Sequence, residues 1–131
     1  MSEKSVKKQA LGELNRLLKR WAPKMGLSEW GLTGLISCED RKNSEGDVYA
    51  SCCADPVYLN AKVTIYPAWW RLSIKKREAA IVHELAHCIS QEAWDALASQ
   101  GENRYFNPIA RAEIIERLTQ RIANIAFRAP Q

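Results

Sequence analysis

Histidine is nearly missing from this chain: 131 residues contain two, against 19 Lys and Arg and 15 Asp and Glu. Any chemistry that needs an imidazole must draw on His83 and His87. Also lacking is an apolar run approaching the roughly 20 residues that cross a bilayer as a helix, so a water-soluble fold is expected, with no membrane partner. The opening MSEKSVKKQALGEL is charged where a signal peptide needs an apolar centre, which makes the cytoplasm the expected compartment. The four cysteines form no C-x-x-C pair, and adjacent Cys52 and Cys53 do not suggest a secreted disulfide framework. They are expected reduced and mostly buried. There is no internal repeat and no low-complexity segment. Charge of one sign does not dominate: the net +4 and pI near 9.0 come with acidic residues interleaved throughout, the pattern of solvated helix faces. With no nucleic-acid motif present, that balance gives a nucleic-acid partner little support.

What is present reads as one α+β domain over residues 1–131, an ordinary length for a single core. Ala10, Leu11, Leu14, Leu17, Leu18 and Trp21 recur at spacings of three and four, predicting an amphipathic helix that stops before Pro23. MGLSEW reads as a turn, and WGLTGLISC as a strand with Trp30, Leu32, Gly34 and Ile36 on one face. Residues 39–47 are polar and form a hairpin loop or exposed connection. VYASCCA is a second strand. In VYLNAKVTIYP, Leu59, Ala61, Val63 and Ile65 alternate with polar residues, predicting a third strand with one solvated face that ends at Pro67. Ser73 is a candidate N-cap for a helix over about 74–90. The connection 91–106 is partly helical, then loop. Asn107-Pro108 marks the start of a last helix to about Phe127, expected to bury Ile114, Ile115, Leu118, Ile122 and Ile125. The predicted order is helix, three strands, helix, helix.

The stretch IVHELAHCIS, residues 81–90, carries both histidines. Residues four apart on a helix lie one above the other, so the two imidazoles can converge on one ion. Ile81, Val82, Leu85, Ala86 and Ile89 fill one arc of that helix, the histidines lie on its flank, and Glu84 projects to the far side of their face. Glu84 is badly placed to be a ligand beside His83 and well placed to reach a water on the metal. Zinc lowers the pKa of such a water toward about 7, and a carboxylate that takes its proton makes a nucleophile for a carbonyl. The background frequency of H-E-x-x-H is on the order of one chance match in a few hundred chains this long. Here the motif consumes every histidine and sits on a regular helical pattern.

A catalytic zinc takes three protein ligands and an open fourth position. Position 93, where an extended H-E-x-x-H-x-x-G-x-x-H motif places its third ligand, is Ala93, and position 90 is Ser90, so that class is excluded. Glu92 and Asp95 are too near in sequence to fold back over the site. Cys88 lacks the spaced thiolate partner usual for zinc. The final helix offers Glu113 and Glu116. Its apolar periodicity puts Glu113 toward the polar side and Glu116 at the arc's edge, slightly favouring Glu116.

With WAPKMGLSEWGL, AKVTIYP, IVHELAHCIS and AEIIERLTQRI in view, the chain resembles the zincins, metallopeptidases built on an H-E-x-x-H helix. The resemblance is to the branch whose third ligand is a glutamate on a later helix, and most to short H-E-x-x-H metallopeptidase proteins of bacteriophages, which implies a phage origin and action in the host cytoplasm. Only the H-E-x-x-H element is highly specific. It implies zinc on His83 and His87 and Glu84 as general base. In glutamate-ligated zincins the ligand is followed by apolar residues one, two and five positions later, as Glu113 is by Ile114, Ile115 and Leu118, which favours Glu113 over Glu116 as the third ligand. The resemblance also implies a minimal zincin-like fold: a small, about three-stranded, mainly antiparallel sheet with an N-terminal helix, the H-E-x-x-H helix and a C-terminal helix. An edge strand would line the cleft and bind extended substrate, with AKVTIYP the expected strand. Arg104 and Tyr105 are candidate donors to a developing oxyanion.

The expected function is zinc-dependent hydrolysis of peptide bonds in a peptide or protein substrate. One alternative is a zinc-stabilised binding or regulatory module that contacts nucleic acid or protein through a basic, Trp-rich surface; a second is hydrolysis of some other amide or ester. An unligated Glu84 beside an open coordination position argues against a purely structural metal. Trp69 and Trp70 are expected in the core, at the entry to a helix.

Overall fold

A computed structural model of the chain describes residues 3–98 and 108–128. Its elements are α1 (Glu3–Lys24), β1 (Gly31–Ile36), β2 (Arg41–Asn43), β3 (Gly46–Val48), β4 (Ala50–Asp55), β5 (Asn60–Ile65), α2 (Pro67–Trp70), α3 (Ile74–Ala98) and α4 (Pro108–Arg128). The architecture is α+β: four helices, a three-stranded sheet and a separate β2–β3 hairpin among the described residues. None of these helices is long and apolar enough to cross a membrane.

The sheet order is β1-β5-β4, and it is mixed where mainly antiparallel pairing was expected. β4 and β5 form an antiparallel pair, but β1 runs parallel to β5, with Gly31 opposite Asn60 and Ile36 opposite Ile65. The parallel pair arises because β2, β3 and β4 intervene in the chain, so β5 reaches β1 by a crossover rather than a turn. β5 is therefore the central strand, and its AKVTI segment is not an edge as expected; the edge beside the cleft is β4. The alternation in β5 is as read: Ala61, Val63 and Ile65 are buried, while Asn60 and Lys62 are exposed.

α1 packs on β1 so closely that a Cβ on Gly34 would lie 2.7 Å from Asn15 Oδ1 and 2.8 Å from Leu14 Cδ2. This helix runs through Pro23, beyond its expected end, because a proline in the last turn forfeits one hydrogen bond without blocking the turn. Gly26, at φ +74°, then closes it: Leu27 N–H donates to Ala22 O at 2.8 Å and Gly26 N–H to Pro23 O at 3.3 Å, the paired bonds of a Schellman cap.

α3 is the spine of the molecule. Ser73 caps it as expected, its hydroxyl accepting from Lys76 N–H at 3.4 Å. Arg77, in the first turn, donates to Glu13 Oε2 at 3.2 Å and to Trp70 O at 2.6 Å, with its guanidinium 4.3 Å from the Trp70 ring centroid. One side chain thereby fixes the start of α3 against both α1 and α2. Ile81, Val82, Leu85, Ala86 and Cys88 are fully buried, and the helix continues to Ala98, past the expected end near 90. Trp69 is in the core, with its indole N–H donating to Arg77 O at 3.1 Å, and Trp70 is half-buried beside it. Of the cysteines only Cys88 is buried; Cys52 is half-buried and Cys38 and Cys53 are exposed, contrary to the expectation that most would be buried.

α4 lies along α3, turned from the expected orientation. Thr119 and Ala123 are buried and Ile115 and Ile122 half-buried, but Leu118 is 40% and Ile125 72% exposed; the side chain of Ile114 lies outside the described residues. Phe127 stacks on Trp21 of α1 with centroids 5.8 Å apart, which fixes the far end of α4. The turn of the helix matters because it decides which glutamate faces α3.

Candidate metal centre

His83 and His87 stand on the flank of α3 with ring centroids 5.1 Å apart and planes at 81°. The core arc beneath them, from Ile81 to Ala86, anchors the helix, so both side chains are held half-buried at the surface of a cleft. That cleft has a volume of about 560 Å³; His83, Glu84, His87 and Ala80 line it from α3, Ser51 and Cys52 from β4, and Glu116 from α4. Ligand atoms of His83, Glu84 and His87 lie within 4.8 Å of one another.

The glutamate that α4 brings to the pair is Glu116, not Glu113. Its Oε1 is 2.8 Å from His83 Nε2 and its Oε2 3.6 Å from His87 Nε2. Glu113, one turn earlier, is exposed, and its backbone carbonyl accepts from Arg117 Nε at 3.4 Å. The turn of α4 that exposes Leu118 and Ile125 is the same one that brings Glu116, itself exposed, over the two imidazoles. Tetrahedral zinc with bonds of about 2.0–2.1 Å sets its ligand atoms about 3.3 Å apart. The two Glu116 contacts, one through each carboxylate oxygen, are near that spacing, so Glu116 is within reach of an ion held by the imidazoles; the donors already within 4.8 Å of one another are those of His83, Glu84 and His87.

Two residues of the site escaped sequence reasoning. Thr119, fully buried on α4, has its Oγ1 3.3 Å from His87 Nδ1 and 2.7 Å from Ser90 Oγ, and donates to Ile115 O at 2.7 Å. When its single proton goes to Ile115 O, the Thr119 hydroxyl accepts from the ring, an arrangement that favours the His87 tautomer with its proton on Nδ1 and the Nε2 lone pair toward the cleft, the one a metal needs. Ser90 is also fully buried and completes the group by donating to Thr119 or, at 3.3 Å, to His87 O. A Ser and a Thr in two amphipathic helices carry no sequence signal of this kind. Their position at the α3–α4 seam could have been read only from the turn of α4.

Charge in the site is balanced against burial. Glu84 is 9% exposed, and burial, then the negative charge of Glu116, then Cys88, push its carboxyl up to about 8. The His87 imidazole is pushed down, chiefly by burial and also by His83, with Glu116 opposing. A buried carboxyl and imidazole facing a second carboxylate make a site that is least comfortable when its acidic groups are ionised with no cation nearby. Arg104 and Tyr105 lie outside the described residues. Glu92 is exposed, and Asp95 accepts from Gln91 Nε2 at 2.7 Å, so its carboxylate is engaged along α3 itself.

Comparison of the chain with protein-family models, with curated proteins and with solved structures returns no match.

Proposed function

We propose that the protein is a zinc-dependent hydrolase of zincin type acting on peptide bonds, with His83, His87 and Glu116 as ligands and Glu84 as general base. One observation carries this reading: both imidazoles of α3 and the Glu116 carboxylate of α4, 2.8 and 3.6 Å from them, face one cleft beside the buried carboxyl of Glu84.

A zinc ion held there supplies Lewis acidity toward a carbonyl oxygen and makes a nearby water acidic. Glu84 accepts the proton of the water that attacks the carbonyl carbon and returns it to the departing nitrogen; a bound cation beside it would favour the ionised carboxylate that this role needs. Among the described residues β4 pairs only with β5, so its other edge is free to hydrogen-bond an extended backbone along the cleft. Ala79, Ala80 and Ala50 on the walls leave room for a main chain. Glu116 replaces Glu113 as the proposed third ligand.

Zinc per chain, measured by elemental analysis, should be one in the wild type and near zero in His87→Ala. Glu84→Gln should keep zinc and fold but lose cleavage of a mixed peptide library by at least about 100-fold, the scale of general acid–base catalysis. Zinc retained with library cleavage unchanged in Glu84→Gln would refute the assigned base. Stoichiometric zinc with no cleavage of any peptide by the wild type would instead favour the metal-stabilised binding module.

A further inference from the structure

Beneath the cleft lie two thiols for which hydrolysis has no use. Cys52 on β4 and Cys88 on α3 are 36 residues apart in sequence, yet their Sγ atoms are 4.0 Å apart. Cys52 is half-buried and forms part of the cleft wall, open to a small molecule that enters it; Cys88 is fully buried directly behind. The other two cysteines, Cys38 and Cys53, are exposed, and Cys53 points to the opposite face of the strand from Cys52.

We propose that Cys52 and Cys88 are a reversible disulfide pair, closed by a small peroxide that reaches Cys52 through the cleft. A disulfide needs its sulfurs at about 2.05 Å, so the pair must close by about 2 Å, within reach of side-chain rotation combined with a small movement of the strand. Although its contact with Cys88 and its burial push the Cys52 thiol up, Cys52 is the sulfur that a molecule in the cleft can reach, and it attacks one peroxide oxygen; the O–O bond breaks, and water leaves with the thiol proton, giving a sulfenic acid. The Cys88 sulfur then attacks the Cys52 sulfur, the S–O bond breaks, and a second water leaves. Two thiols lose two electrons and two protons, and one hydrogen peroxide becomes two waters. Cys88 is thus the resolving thiol, shielded from direct attack and from overoxidation. The bond ties the wall of the cleft to the helix that carries both histidines, fixing the width of the cleft. This holds whether or not the histidines carry a metal.

The test uses metal-free folded protein, both wild type and Cys38→Ser/Cys53→Ser, exposed to millimolar hydrogen peroxide and digested without reduction. Mass spectrometry should find one cross-linked peptide pair containing Cys52 and Cys88, lighter by two hydrogens than the separate peptides and released by dithiothreitol. Cys88→Ala should lose the pair and carry Cys52 as sulfenic or sulfinic acid. The oxidised protein should melt on the order of 10 °C higher than the reduced, the effect of closing a loop of this length. Free Cys52 and Cys88 in folded, peroxide-treated protein, or a cross-link that forms only in urea, would overturn the proposal.

Discussion

The ligand assignment turns on a difference of three residues within one helix. Glu113 matches the apolar spacing of the zincin pattern, whereas Glu116 has its carboxylate 2.8 and 3.6 Å from the two imidazoles. Replacing Glu116 with Ala should therefore weaken zinc binding in a chelator competition by more than the roughly 10–100-fold typical of losing an outer-shell partner, and Glu113→Ala should leave it unchanged. The reverse order would reinstate Glu113. Thr119 offers a second measurement. Thr119→Val removes the hydroxyl that meets His87 Nδ1, so zinc affinity should fall about 10–100-fold while His83 and Glu116 remain. It should also cost about 1–3 kcal/mol in urea unfolding, because the buried Ser90 hydroxyl loses its closest partner. Thr119→Ser, which keeps the hydroxyl, should restore most of the affinity; a merely space-filling Thr119 would be served as well by Val. His83, Glu84 and His87 were legible in the sequence because the helical repeat alone fixes their relation. Thr119 and Ser90 were not, since a short hydroxyl side chain looks alike on a wet face and at a dry seam.

At the scale of elements, local signals were readable and partner choice was not. The amphipathic spacing in α1, the Ser73 cap and the alternation in β5 all depend on residues within one turn or one strand, and each is found in the structure. The order β1-β5-β4 depends on which strand meets which across the sheet, and no residue in AKVTI encodes that it will be flanked on both sides. The turn of α4 is a similar case. Five apolar positions looked like its buried face, but α3 presents the Ser90 hydroxyl and two histidines to it, and Ile125 is left outside. Gly34 shows how strictly one such meeting is fixed. A methyl group there would come within 3 Å of Leu14 and Asn15, and Leu14 is fully buried and cannot swing away. Gly34→Ala should lose about 1–3 kcal/mol in urea unfolding through overpacking. Gly31→Ala, where the nearest atom is 3.9 Å from the added carbon, should lose much less. Equal losses would mean that backbone freedom, not the approach of α1, is what Gly34 provides.

For the whole molecule, the proposed metal site would couple stability to metal. His83 and His87 come from α3 and Glu116 from α4, so an ion held by all three joins the two helices and stabilises the folded chain in proportion to its free concentration. Without an ion, Glu84 and Glu116 face each other, with Glu84 buried. The folded state then holds the Glu84 proton up to about pH 8, against an ordinary value of 4.5, so it binds more protons than the unfolded chain across that interval. Stability must fall as pH rises through it. His87 acts in the opposite sense: its imidazole is pushed below 6.5, so its contribution is present above that value and lost as the solution becomes more acidic. Between the ordinary carboxyl and imidazole values the two effects oppose each other; between about pH 6.5 and 8 only that of Glu84 changes. Chelator-treated protein should therefore lose stability, on the order of a few kcal/mol, between pH 6.5 and 8.5 in urea unfolding. Zinc-loaded protein should lose far less, because a cation beside Glu84 favours its ionised form. Glu84→Gln should flatten the metal-free profile over the same interval. A metal-free wild type as stable at pH 8.5 as at 6.5 would show that Glu84 is hydrated in solution and does not couple metal to stability through its burial.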